Sequence, residues 1–112
     1  MKPFIITAIL TLIALGLFAH PASSASLSFD AKSQLLTLNF EHQVKNPADH
    51  FISTVVIKVA GKTLVTQNLN AQETATGGSL VYKLPGIKSG VVIEAVTTCN
   101  KTGNKSAKLT VK

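Results

Sequence analysis

The 112-residue chain, 11.8 kDa, has room for one domain. Its net charge of +6 at pH 7 comes entirely from Lys; the absence of Arg, the side chain favoured for bidentate contacts to phosphates and bases, argues against a nucleic-acid partner. No Gly-rich phosphate loop, nucleophile elbow or CxxC pair occurs, and the five acidic residues are too scattered to read as a glycosidase pair.

The first segment reads as an export signal. Met1-Lys2-Pro3 gives a short positive start, and Phe4 to Phe18 is uncharged and rich in Ile, Leu and Ala. That run falls short of the about 20 apolar residues a membrane span needs, but it suits the apolar region of a secretory signal. Small residues follow in Ala19-His20-Pro21-Ala22-Ser23-Ser24-Ala25. One cut falls after Ala25 and leaves a domain of residues 26–112. The other falls after Ala19 and makes His20 the N-terminus, with an amine and an imidazole on one residue. Such a terminus chelates copper, with His42 or His50 to complete the site. Retention as a membrane anchor is the alternative to cleavage. With the signal removed, the protein is expected in the periplasm or outside the cell, free of the membrane.

Beyond the signal the apolar pattern has period two, which means strands. Ser26-Leu27-Ser28-Phe29 alternates and ends at Asp30. Leu36, Leu38 and Phe40 alternate with Thr37, Asn39 and Glu41. Phe51 to Ala60 is rich in β-branched residues, with Val55, Ile57 and Val59 on one face. Gly61-Lys62 reads as the tip of a hairpin, and Thr63 to Leu69 as its return strand. Asn70 to Gly78 is polar and reads as a loop. Leu80, Tyr82 and Leu84 form the next inward face, followed by a turn over Pro85 to Gly90. Ile93, Ala95, Thr97 and Cys99 share one face of a strand from Val91 to Cys99. Asn100 to Asn104 turns around Gly103, and Ala107, Leu109 and Val111 close the domain. Seven short strands at this spacing predict an all-β, immunoglobulin-like antiparallel sandwich.

Three residues carry the chemistry. His42 ends the second strand, His50 begins the third and Cys99 ends the sixth. Strand ends gather at the two rims of a sandwich, so these residues can meet there. Two imidazoles and a thiolate suit iron, copper or zinc, and Asp49 can orient an imidazole from behind. The lone Cys99 has no disulfide partner within the chain.

The stretch Glu41-His42-Gln43, Pro47-Ala48-Asp49-His50-Phe51-Ile52, the Gly61-Lys62 hairpin, Lys88-Ser89-Gly90 and Thr98-Cys99-Asn100 with Gly103 resembles the desulfoferrodoxin, or superoxide-reductase-like, domain. That family is an immunoglobulin-like sandwich whose iron is held by four His and one Cys. The resemblance implies that His42 and His50 match two loop ligands and Cys99 the axial thiolate. Thr102 stands near the position of the last His, and the segment carrying the first His has no counterpart. The resemblance therefore implies a degenerate site of the iron-binding type, lacking the full superoxide-reductase centre. The same stretch is similar to the sulfur-carrier partner subunit of the Sox thiosulfate-oxidation system, a metal-free sandwich that binds another protein. These likenesses imply a redox or sulfur-oxidation protein as partner.

Overall fold

The computed structural model describes residues 20–112. Most of the expected signal segment lies outside the described residues. Seven strands follow one another: β1 Ser24–Asp30, β2 Leu35–Glu41, β3 Ile52–Val59, β4 Lys62–Asn68, β5 Gly77–Lys83, β6 Val92–Cys99 and β7 Asn104–Thr110. No helix occurs among the described residues, and none there is long and apolar enough to cross a membrane. The strands form two antiparallel sheets, β1-β2-β5 and β4-β3-β6-β7.

Alternation builds the core. Leu36, Leu38 and Phe40 of β2 point inward from one sheet. Ile52, Val55 and Ile57 of β3 and Ile93, Ala95 and Cys99 of β6 point inward from the other, and all join one cluster. β-branched side chains fit this pleated, half-buried setting, and their burial is the main force holding the sheets together. The inward row of β3 changes parity between Ile52 and Val55. Ile52 pairs with Cys99 and Thr54 with Thr98, so one extra residue, Ser53, forms a bulge in β3. The bulge lets Ile52 face the core although Val55, Ile57 and Val59 set the opposite parity.

Turn chemistry departs from expectation in one place. The β3–β4 hairpin turns on Ala60 and Gly61, with φ of 52° and 82°, and Lys62 already belongs to β4. Two successive positive φ values give the type I′ twist that matches the flanking strands. Strand pairing and burial also extend ahead of residue 26. Ala22 is 2% exposed, and Ser24 and Ala25 belong to β1, paired with Glu41 and Phe40.

Candidate metal centre

The inward rows of β2 and β6 end in polar side chains. His42 follows Leu36, Leu38 and Phe40 in parity, so it turns inward just past the end of β2 and is fully buried. Cys99 ends the row Ile93, Ala95, Thr97 and is 4% exposed. His50 lies two residues before β3, at the end of a turn in which Asn46 accepts from the backbone N–H groups of Asp49 (3.0 Å) and His50 (2.9 Å). Asn100 fastens this turn to β6. Its backbone N–H donates to the Phe51 carbonyl at 3.0 Å, its Oδ1 accepts from the Phe51 N–H at 3.0 Å, and its Nδ2 donates to the Asp49 carbonyl at 2.8 Å.

These elements bring the sequence candidates to one rim. The rings of His42 and His50 lie 4.8 Å apart at 90°. His50 Nε2 lies 3.1 Å from Cys99 Sγ, which also accepts from the Lys101 N–H at 3.4 Å. A third imidazole joins from ahead of β1: the His20 ring centre is 5.0 Å from that of His42 and 5.4 Å from that of His50. One nitrogen from each of the three histidines lies within 4.8 Å of the others. Metal–imidazole bonds of about 2.0–2.1 Å place tetrahedral ligands about 3.4 Å apart, so the rings must close by up to about 1.4 Å to share one ion. Cys99 meets the trio through His50. The exposed Lys101–Asp49 ion pair at 3.7 Å sits beside it and adds little to stability.

His42 is the best-defined member. Gln72, only 6% exposed, donates from Nε2 to the His42 carbonyl at 2.7 Å and to the Thr74 carbonyl at 2.9 Å. Those two acceptors fix the amide's orientation, so its Oε1, 2.7 Å from His42 Nδ1, must accept a proton from that nitrogen. Nε2 of a neutral His42 then carries a lone pair, yet it lies 3.0 Å from the His20 carbonyl oxygen, another acceptor. A cation between the two acceptors, whether a second proton on Nε2 or a metal ion, would remove the opposition of the lone pairs. Burial, then the His42 and His20 rings and Lys101, hold His50 below the ordinary imidazole pKa, with Asp49 opposing. Its ring therefore keeps a free lone pair at neutral pH.

Gln72 and Asn100 are positioning residues whose roles have no local signal in the sequence, because the His42 ring and carbonyl that Gln72 bonds and the Phe51 and Asp49 main chain that Asn100 bonds lie 30 to 51 residues away. His20 was legible as a ligand only through the alternative signal cut. No family model matches the chain, and neither a curated protein nor a solved structure does.

Proposed function

We propose that this is an exported metal-binding domain in which His20, His42 and His50 hold one divalent first-row metal ion at a rim of an immunoglobulin-like sandwich. The observation that carries the reading is the buried His42 imidazole, whose proton is committed to Gln72 while its other nitrogen faces a carbonyl oxygen. Metal-bound imidazoles are oriented by an oxygen acceptor on their other ring nitrogen, the position that Gln72 Oε1 takes here.

Strand order supports the architecture. The order β1-β2-β5 against β4-β3-β6-β7 is consistent with an immunoglobulin-type pairing in which the fourth strand joins the sheet of β3, β6 and β7. The apolar run from Phe4 to Phe18 supports export. Iron, the metal implied by the superoxide-reductase-like resemblance, needs ligands beyond the trio; Cys99 beside His50 is the donor at hand. Binding and holding the ion is the role proposed, with no reaction assigned.

The test is metal titration of the purified protein with zinc and copper, beside His50→Ala, which removes a half-buried ligand and spares the buried His42. One equivalent is expected to bind, and His50→Ala to weaken binding at least about tenfold, or about 1.4 kcal/mol. No uptake, or equal uptake by the variant, would overturn the proposal.

A further inference from the structure

We propose that the chain is cut between Ala19 and His20, and that the α-amine so released joins the three imidazoles as a fourth nitrogen ligand of a copper ion. This deepens the metal-binding reading above and rests on it.

The position of the cut follows from what residues 20–25 do. A cut after Ala25 would strip Ser24 and Ala25 from their pairing with β2 and remove the Ser23 N–H that donates to the Glu41 carbonyl at 2.8 Å. It would also remove Ala22, 2% exposed in the core, and His20 itself. Pro21 is seated against Gly103: a Cβ on Gly103 would lie 3.0–3.2 Å from three atoms of the proline ring. A cut after Ala19 leaves all of these contacts in place and begins the mature chain at the metal cluster.

The main chain of His20, as well as its ring, is at the site. Its carbonyl oxygen lies 3.0 Å from His42 Nε2, and its backbone nitrogen is three covalent bonds from that oxygen. In the uncut chain that nitrogen is an amide, whose lone pair is delocalised into the carbonyl and is no ligand. Hydrolysis of the Ala19–His20 bond by a signal peptidase consumes one water. The hydroxyl goes to the Ala19 carbonyl carbon and a hydrogen to the His20 nitrogen, which takes a further proton from solution. Metal binding returns that proton to solvent, and no electron moves. The freed residue keeps one peptide bond, to Pro21, so its amine and ring can turn about the Cα–C bond while the anchored proline holds the carbonyl. Chelation through the amine and Nδ1 closes a six-membered ring, exchanging the 2.9 Å hydrogen bond from Nδ1 to the Pro21 carbonyl for the metal.

The donor set selects the metal. The cluster holds no carboxylate, and four nitrogens in a tetragonal array suit copper(II), which also heads the divalent affinity order.

The full chain, exported under its own leader, is purified and its intact mass and N-terminal residue determined. A chain beginning at His20 is expected; one beginning at Ser26, or retaining the leader, would overturn the proposal. The exported protein is then titrated with copper(II) before and after acetylation of the α-amine at about pH 6.5, where lysine ammoniums are unreactive. Expected are a four-nitrogen signature in electron paramagnetic resonance, close to one proton released per copper near pH 7 from an α-ammonium of pKa about 7.7–8.0, and at least about tenfold weaker binding after acetylation. Unchanged affinity and spectrum after acetylation would remove the amine and leave the three-imidazole site standing. Failure to bind copper or zinc in any form would overturn both.

Discussion

Gln72 makes His42 a usable ligand. Its carboxamide bonds three groups: the His42 ring, the His42 carbonyl and the Thr74 carbonyl. Gln72→Ala leaves buried partners unsatisfied and frees the His42 tautomer. It is expected to cost about 2–3 kcal/mol in urea unfolding and to weaken metal binding by about 10–100-fold. A variant with full affinity would show that His42 needs no such fixing. Nothing within the polar run from Asn70 to Gly78 marks Gln72, since its meaning depends on a loop folding back over the end of β2. His42 and Cys99, by contrast, were legible, because each extends a row of inward side chains by one step of period two.

Strands were read well wherever alternation ran unbroken. The inward row of Ile93, Ala95, Thr97 and Cys99 stands as expected, all fully or nearly fully buried. Ile52 was not legible as core from parity, because the bulge at Ser53 changes register and no residue type announces it. Turns offer two tests at this scale. Ala60 holds φ 52° in the β3–β4 turn, a conformation that costs an alanine about 1–2 kcal/mol and that asparagine tolerates. Ala60→Asn is therefore expected to raise stability by about 1 kcal/mol, read as a higher denaturation midpoint; a lower midpoint would contradict the turn assignment. On β5, the Tyr82 hydroxyl is buried without a hydrogen-bond partner, and burial pushes its pKa up to about 12. Tyr82→Phe removes an unsatisfied group and keeps the ring, so its thermal midpoint is expected to equal or exceed that of the parent. A clear drop would mean that the hydroxyl has a partner.

For the molecule as a whole, the site and the fold compete for the same protons. His50 titrates below 6.5 in the folded protein because burial and the neighbouring rings disfavour its charge. Well above pH 6.5 neither folded nor unfolded His50 is charged, and its contribution to stability is fully present. As pH falls below that value the unfolded chain takes up the proton first, so stability falls until the pH passes the folded pKa. Metal-free protein is expected to show a lower urea midpoint near pH 5.5 than near pH 7.5, with a smaller difference in His50→Asn. A midpoint that rises on acidification would contradict the crowding of the three imidazoles. The overall architecture was legible because seven alternating segments leave few arrangements other than two packed sheets. The third histidine was less so, since its place depends on the segment ahead of β1 lying against the rim, and that small-residue stretch also reads as a cleavage site.

The central claim is that one ion binds at the open nitrogen of His42 together with His20 and His50. Nitrogen-15 NMR of the histidine rings during zinc titration tests it most directly. Expected at one equivalent are large shifts of the ligating nitrogens in all three rings, including His42 Nε2, while His42 Nδ1 keeps its proton toward Gln72. Ring nitrogens that stay unmoved with excess zinc, or a His42 Nδ1 that loses its proton, would contradict the account.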